Sequence, residues 1–214
     1  MTEQLRITEV FHSLQGEGRY TGLPTVFVRL TGCPLRCGYC DTEYAFSGGD
    51  WMSLDDIVST VEQHGANYVT VTGGEPLAQK PVLELMSRLL SKGYNVSLET
   101  SGALDISAVD VRVCRVVDLK TPGSGEEKKN LYENIDHLTA HDQVKFVLLD
   151  RADFDWSVEV LNRYDLSARC DVLFSPVHGE LAPAELAAWI LENPCPVRLQ
   201  IQLHKYLWGE EQGR

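Results

Sequence analysis

Residues 25–42 read Thr25-Val-Phe-Val-Arg-Leu-Thr-Gly-Cys33-Pro-Leu-Arg-Cys37-Gly-Tyr-Cys40-Asp-Thr42, a β-branched run that leads directly into three closely spaced cysteines. The run at 25–30 is typical of a strand that is buried on both faces. Glycine and proline in the segment that follows allow the chain to leave regular structure, so that three thiols can converge. The stretch predicts a parallel strand with a ligand-bearing loop, residues 31–50, at its carboxyl end.

Similar apolar runs alternate with amphipathic segments along the rest of the chain. An N-terminal strand is expected to lead into a polar loop at 11–18. Further strands are predicted at 68–72, 95–98, 113–119, 143–149, 171–175 and 197–203. Helices are predicted at 54–64, 81–92, 153–164 and 183–192, the first of them between a capping Ser53 and a terminating Gly65.

Alternation of strand and helix predicts parallel strands joined by right-handed crossovers. A complete eight-fold barrel needs roughly 250 residues, and this chain has 214. We therefore expect a single α/β domain over residues 1–214, an incomplete TIM-like β/α barrel of about six parallel strands. In that architecture the functional site lies at the carboxyl ends of the strands.

Composition restricts the partners and the compartment. The formal net charge is −12, which disfavours a nucleic-acid partner. The N-terminal sequence lacks the basic start and the following apolar run of a secretory signal. No apolar run approaches the ~20 residues of a membrane span. Six cysteines without an export signal indicate a reducing compartment, so we expect a cytoplasmic protein with no membrane partner. Cys114, Cys170 and Cys195 lie in or near apolar stretches and are expected to be ordinary thiols of the protein interior.

The cysteine loop, residues 31–50, has the spacing C-x3-C-x2-C. Soft thiolate ligands select iron–sulfur clusters, zinc or copper(I). A structural zinc site normally has four protein ligands, and His12 and His64 are only distant candidates for a fourth. Three buried thiols or a Cys37–Cys40 redox pair are further alternatives. An iron–sulfur cluster with three cysteines is favoured, because it leaves one iron open for a chelating ligand.

This spacing, with aromatic Tyr39 before the last cysteine, resembles the signature of the radical S-adenosylmethionine superfamily. Gly73-Gly74-Glu75-Pro76 follows a predicted strand and resembles the superfamily segment that contacts the amino group of S-adenosylmethionine. The resemblance implies a radical SAM core with a [4Fe-4S] cluster held by Cys33, Cys37 and Cys40. It further implies reductive cleavage of S-adenosylmethionine to a 5'-deoxyadenosyl radical.

Five further segments, from about residue 5 to residue 208, are similar to the 7-carboxy-7-deazaguanine synthase family: Ser13–Gly18, the strand of Arg29, Cys40–Thr42, Glu99–Gly102 and His204–Tyr206. That family is a carbon–nitrogen lyase of queuosine biosynthesis. It contracts the ring of 6-carboxy-5,6,7,8-tetrahydropterin to 7-carboxy-7-deazaguanine with loss of ammonia, beginning with hydrogen abstraction at C6. The resemblance also implies a homodimer and a flavodoxin-like or other electron donor.

Carried onto matching positions, the resemblance implies three groups of binding residues and no dedicated catalytic acid or base. The pterin substrate would lie among Leu14, Gln15, Gly16, Arg29 and Thr100. S-adenosylmethionine would lie among Gly74, Glu75, Gly102, Gln143, Val144, Lys145, Ser175, Pro176, Val177 and His178. Thr42 would bind a magnesium ion (Mg2+) that also touches the substrate.

Two segments have no matched role, the tail at 209–214 and the charged stretch at 122–130, which is expected to be a mobile surface loop. Two other functions remain open on the sequence. An enzyme that installs a glycyl radical on a partner protein shares the cysteine spacing. A zinc-binding or redox module without catalysis would also use three cysteines, although it does not explain the polar residues at the other strand ends.

Overall fold

A nine-stranded sheet with helices on its outer face forms this domain, in a computed structural model that describes residues 3–209 and 211–213. The strands are β1 (Gln4–Leu14), β2 (Pro24–Leu30), β3 (Asp50–Ser53), β4 (Tyr68–Gly73), β5 (Asn95–Thr100), β6 (Cys114–Asp118), β7 (Gln143–Leu148), β8 (Asp171–Pro176) and β9 (Arg198–Leu199). The helices are α1 (Leu54–His64), α2 (Val82–Ser91), α3 (Arg151–Arg163), α4 (Pro183–Glu192) and α5 (Leu203–Trp208).

The strand order is β3-β1-β2-β4-β5-β6-β7-β8-β9. From β2 to β9 every neighbouring pair is parallel, whereas β1 is antiparallel to both β2 and β3. Within the described ranges β3 and β9 are the two ends of this order and are not paired with each other. The expected incomplete barrel with parallel strands is confirmed.

The four predicted helices form close to their predicted ends. Ser53 caps α1, because its side-chain oxygen accepts a hydrogen bond from the Asp56 amide at 3.1 Å. Gly65, at φ 68°, ends the helix in the left-handed conformation that glycine favours. Ile57 and Val61 on its inner face are buried against the sheet. Local sequence chemistry therefore fixes this β/α connection.

Two expectations about individual elements were wrong. The N-terminal strand does not stop before Phe11, because the pairing of Phe11 with Phe27 and of Leu14 with Pro24 extends β1. The run at 197–203 contributes only two strand residues, since Gln200 turns inward and accepts a hydrogen bond from the Gly18 amide at 2.9 Å. No α-helix lies between β5 and β6 or between β6 and β7 among these described residues, and loops with short 3-10 turns cover that part of the sheet.

The two faces of the sheet have opposite character, which positions the site. Successive strand residues point to opposite faces. The outward positions are apolar and pack against the helices in one core: Val28, Val71, Leu98, Val117, Val144 and Phe174. The inward positions are mainly polar and line a cavity: Arg29, Thr72, Glu99, Asp118, Lys145 and Ser175. In the described part of the chain, no helix has the length and apolar character of a membrane span.

Candidate active site

A cavity of about 310 Å³ lies at the carboxyl ends of the parallel strands. Its volume is in the usual range for sites that enclose a small molecule. The cysteine loop forms one side, the ends of β4 to β8 form another, and β1, β2 and the segment around α5 complete the wall. Parallel sheets of this kind bind their ligands at this end.

The cysteine loop presents Cys33, Cys37 and Cys40, all partly exposed, to this cavity. Two backbone hydrogen bonds hold the loop. The Gly32 amide donates to the Ala45 carbonyl oxygen at 2.7 Å, and the Glu75 amide donates to the Gly32 carbonyl oxygen at 2.8 Å. A Cβ atom added at Gly74 would lie 2.3 Å from the Gly32 oxygen and 2.8 Å from the Cys33 Cβ. Only glycine therefore allows the turn after β4 to approach the first cysteine so closely.

A buried ammonium group faces the thiols. Burial raises the pKa of each of the three thiols, and Lys120 acts in the opposite direction on all of them. Burial also opposes the charge of Lys120, but Asp118, whose Oδ2 lies 2.8 Å from Nζ, and Cys37 raise the pKa of that lysine. A cation beside the loop favours the thiolate forms that bind metal.

The donor set fits an iron–sulfur cluster with three protein ligands. Three soft thiol ligands line one cavity, and thiolates of this kind are the usual ligands of such clusters. Nowhere in the described ranges do three His, Cys, Asp or Glu side chains converge on a single ion. A four-iron cluster places each thiolate on a different iron, so it does not require that convergence.

Glu75 of the Gly-Gly-Glu-Pro turn braces two strand ends and does not line the cavity. Its carboxylate is fully buried and accepts hydrogen bonds from the Thr100 hydroxyl at 2.9 Å and from the Ser101 amide at 2.8 Å. The Ser101 hydroxyl and the Leu77 amide donate to it as well. A buried carboxylate is stable only with such donors, so Glu75 joins the end of β4 to the end of β5.

Arg29 and Gln15 occupy the wall formed by β1, β2 and the loop between them. Arg29 Nε donates to Glu9 Oε1 at 2.7 Å, and the guanidinium carbon lies 5.8 Å from the centre of the Tyr44 ring. Gln15 is buried, and its amide nitrogen donates to Thr70 Oγ1 at 2.9 Å. Both side chains are thus held in fixed orientations at the cavity wall.

A chain of charged and polar groups crosses the cavity towards α5. Lys145 Nζ on β7 lies 2.8 Å from Glu17 Oε2, and Gln202 donates both to Glu17 and to Asp41. Burial opposes both charges, yet the charges raise the pKa of Lys145 and lower the pKa of Glu17. Lys205, 3.4 Å from Asp41, and Gln202 lower the pKa of Asp41 to about 2 despite its burial. These contacts connect the C-terminal helix to the cysteine loop.

Comparison with known proteins assigns the family. Residues 27–115 match the model of the radical SAM superfamily. The 7-carboxy-7-deazaguanine synthase of Koribacter versatilis is 43% identical over 97% of this chain and 98% of its own length. That of Chlorobaculum tepidum is 40% identical over 97% and 96%. The chain belongs to the 7-carboxy-7-deazaguanine synthase family.

Solved structures agree with this assignment. The crystal structure of QueE from Escherichia coli has a TM-score of 0.75 at 25% identity and covers 94% of this chain and 95% of its own. Streptococcus suis SuiB bound to S-adenosylmethionine has a TM-score of 0.57 at 14% identity over 80% of this chain and 48% of its own, and it shares the fold alone. The family and the radical SAM fold predicted from the sequence are confirmed.

The structure brings most of the predicted site residues to one cavity. The residues that line it are Leu14, Gln15, Arg29, Cys33, Cys37, Cys40, Thr42, Gly74, Thr100, Lys145, Ser175, Pro176, Val177 and His178. The Thr42 hydroxyl donates to Asp41 Oδ1 at 2.9 Å. The Thr100 hydroxyl is directed to Glu75, as described above.

Five predicted residues do not line the cavity, namely Gly16, Glu75, Gly102, Gln143 and Val144. Gln143 and Val144 begin β7 and therefore lie at the end of this strand that is remote from the cavity. Gln143 Oε1 accepts from the Arg19 amide at 2.7 Å, and Val144 points outward into the core. Gly102 forms the turn after β5, at φ 71°. Gly16 packs against His204 and accepts a hydrogen bond from the Leu203 amide at 3.1 Å.

Several charged or polar residues of the wall were missing from the predicted set, among them Glu17, Asp118, Lys120 and Gln202. Asp118 and Lys120 flank the end of β6, and their place at the end of a predicted strand was a signal for them. The expected mobile loop at 122–130 forms two short 3-10 turns that contact the cysteine loop. His12 and His64, the distant zinc candidates, contact each other with ring centres 5.8 Å apart and do not line the cavity.

Proposed function

We propose that this chain catalyses the ring contraction of 6-carboxy-5,6,7,8-tetrahydropterin to 7-carboxy-7-deazaguanine, with loss of ammonia, in the formation of queuosine and related 7-deazapurines. The observation that carries the proposal is one cavity in which three cysteines face Arg29 and Gln15. A carboxylated heterocycle bound to Arg29 would lie within the same enclosed space as the cofactor.

Cys33, Cys37 and Cys40 would hold the [4Fe-4S] cluster. When bound, that cluster supplies the electron that cleaves S-adenosylmethionine. Gly74 and the end of β8 at 175–178 supply backbone and side-chain groups around the space beside the cysteines. The remaining work of the protein is positioning and exclusion of water, as in other enzymes whose cofactor carries the difficult chemistry.

Arg29 suits the carboxylate of the pterin. Its Nε is bound to Glu9, which fixes the plane of the guanidinium. In the part of the chain that the structure describes, no protein acceptor is hydrogen-bonded to its two terminal nitrogens. A planar guanidinium with two free nitrogens binds a carboxylate through two parallel hydrogen bonds.

Magnesium is part of the proposal through Thr42. A hydroxyl oxygen suits this ion, which rarely has a complete set of protein ligands and retains water or substrate oxygens. Thr42 lines the cavity two residues after the last cysteine. A Thr42→Val enzyme should need more magnesium for half-maximal activity, and an unchanged magnesium requirement would remove Thr42 from the proposal.

The proposal also includes a homodimer, a flavodoxin-like or other electron donor and a cytoplasmic location. The first two are what the resemblance to the family implies. The six free cysteines support a reducing compartment. Sedimentation of the purified protein tests the dimer, and reduction by a purified flavodoxin under anaerobic conditions tests the donor.

The decisive experiment is anaerobic reconstitution with iron and sulfide, followed by reductant, S-adenosylmethionine and 6-carboxy-5,6,7,8-tetrahydropterin. Mass spectrometry should detect 7-carboxy-7-deazaguanine and ammonia release. Cys37→Ala should abolish both cluster assembly and product. Cys195→Ala is the matched control, because Cys195 is a partly buried cysteine outside the cavity.

A protein that binds zinc and no iron would overturn the proposal. A protein that carries the iron–sulfur cluster and cleaves S-adenosylmethionine, but leaves the pterin unchanged, would favour the glycyl-radical activating function instead.

A further inference from the structure

Asp153, on the first turn of α3, is a buried carboxylate outside the cavity and outside the residues that match the superfamily model. It is 1% exposed. Its Oδ1 accepts from the Gly123 amide at 2.8 Å, and its Oδ2 accepts from the Thr121 hydroxyl at 3.0 Å and from the Leu149 amide at 2.9 Å. A charge buried this deeply is stable only through such bonds, which are stronger than bonds between neutral groups.

All three donors lie just beyond the carboxyl ends of β6 and β7. The segment 121–126 that carries two of them fits closely over Asp153. A Cβ atom at Gly123 would lie 2.4 Å from Asp153 Oδ2 and 3.0 Å from the Leu149 Cβ. The carboxylate therefore fixes the distance between this segment and α3.

The same segment contacts the cysteine loop at three points. The Gly38 amide donates to the backbone carbonyl oxygen of Ser124 at 3.0 Å, and the Arg36 amide donates to Glu126 Oε1 at 2.7 Å. The Tyr39 hydroxyl lies 3.4 Å from Thr121 Oγ1 and donates to the Val147 oxygen at 3.1 Å. Gly38 and Tyr39 are the two residues between Cys37 and Cys40.

We propose that Asp153 is a positioning residue for the cluster, which acts through Thr121, Gly123 and Ser124 to hold the Cys37–Cys40 turn. It touches no cofactor or substrate atom. A carboxylate on α3 sets the backbone of 121–124, and that backbone sets the position of the Gly38 amide. The proposal rests on the proposed function only for the identity of the group that the thiols hold.

A variant of Asp150 distinguishes this positioning role from a general role of Asp153 in stability. Asp150 caps the same helix, since its Oδ1 accepts from the Asp153 amide at 3.0 Å, and its side chain takes no part in the bonds to 121–126 given above. Asp150→Asn is therefore the matched control for Asp153→Asn. The asparagine keeps the size of the side chain but places an amide group against one of the three donors.

The first measurement uses the cluster-free chain and hydrogen exchange by mass spectrometry. Peptides that cover 33–41 and 121–126 should exchange about tenfold faster in Asp153→Asn than in Asp150→Asn, as expected for loss of a hydrogen bond to a charged group. Equal exchange in the two variants would overturn the proposal. This result does not depend on iron, so it stands apart from failure of the proposed function.

The second measurement uses anaerobically reconstituted protein. Asp153→Asn should lose its iron–sulfur absorbance in air several-fold faster than Asp150→Asn, and the spectrum of its reduced cluster by electron paramagnetic resonance should broaden. Equal cluster lifetimes and spectra at equal iron content would contradict a positioning role. If Asp153→Asn does not fold, Thr121→Val replaces it in both measurements. That change removes a donor to Asp153 but also the contacts of the same hydroxyl with the Val147 carbonyl oxygen and with Tyr39. Tyr39→Phe is therefore its control, and an effect of Thr121→Val no larger than that of Tyr39→Phe would contradict the proposal.

Discussion

Lys145 Nζ lies 2.8 Å from Glu17 Oε2 inside the barrel, where both side chains are largely buried. The pair joins β7 to the loop after β1, two elements that are far apart in sequence. Glu99 also faces Lys145, and burial raises the pKa of that carboxyl while Glu17 raises it further. One ammonium group therefore compensates more than one carboxylate at the centre of the cavity.

Removal of this ammonium group should be strongly destabilising. Lys145→Met leaves Glu17 buried without its cation, and breaking a buried pair on one side typically costs about 3–5 kcal/mol. Urea unfolding of the cluster-free protein measures the effect. The double variant Lys145→Met/Glu17→Gln should recover much of the loss, because no charge is then left unpaired. A single variant as stable as the starting protein would show that water or another cation neutralises Glu17.

The pKa of Glu99 gives a prediction about pH. Burial raises the pKa of Glu99 above its ordinary value of 4.5, so the folded state holds this proton more tightly than the unfolded chain. The contribution of Glu99 to stability is therefore present below that value and declines as pH rises through the folded-state pKa. Glu99→Gln should reduce this decline, measured as the difference in unfolding free energy between acidic and neutral pH.

Glu180→Gln is the control for this experiment, because Glu180 is exposed on the loop after β8. It should leave the pH dependence unchanged. A decline of the same size in Glu99→Gln and in the starting protein would assign the effect to another group.

Elements whose signals are local were predictable from the sequence, and contacts between distant segments were not. The cap at Ser53 and the left-handed Gly65 define α1 without reference to the rest of the chain. The extension of β1 to Leu14 depends on pairing with β2 and has no local signal. Cysteine spacing indicated the cluster site in the same local way, since the three ligands lie within one short loop.

The roles of Glu75 and Gln143 illustrate what remained hidden. Both belong to motifs that the resemblance placed near S-adenosylmethionine. The donors that surround Glu75 come from β5 and from the turn after β4, and Gln143 faces the Arg19 amide from the beginning of β7. Neither the partners nor the end of the strand can be derived from a short pattern. Residues identified by resemblance therefore fall into those that line the cavity and those that brace its wall.

A third prediction concerns the close contact between Gly16 and α5. A Cβ atom at residue 16 would lie 2.1 Å from His204 Nδ1 and 3.1 Å from the His204 amide nitrogen. Gly16→Ala should displace the helix at 203–208 and destabilise the protein by about 1–3 kcal/mol, the usual effect of overpacking. Hydrogen exchange of the C-terminal peptide and thermal unfolding measure the two effects.

Gly16→Ala/His204→Ala tests the cause of that displacement. Removal of the imidazole takes away the closest contact, so the double variant should exchange at nearly the same rate as His204→Ala alone. If Gly16→Ala by itself leaves exchange at 203–208 unchanged, α5 does not depend on this contact.

Arg29 provides the sharpest prediction about the substrate. Its guanidinium lies between Glu9 and the Phe11 and Tyr44 rings, with the terminal nitrogens directed to no acceptor among residues 3–209 and 211–213. Arg29→Gln should raise KM for the carboxylated pterin by about tenfold or more, since a hydrogen bond to a charged group contributes about 1.5–3 kcal/mol. Arg29→Lys should restore only part of the lost affinity, because an ammonium group cannot form two parallel bonds.

A tetrahydropterin without the carboxylate is the control ligand. It should inhibit the starting protein and Arg29→Gln at similar concentrations, with iron content equal in both. If instead Arg29→Gln weakens binding of the two pterins equally, the guanidinium does not contact the carboxylate, and its role is to hold Glu9 and the aromatic wall.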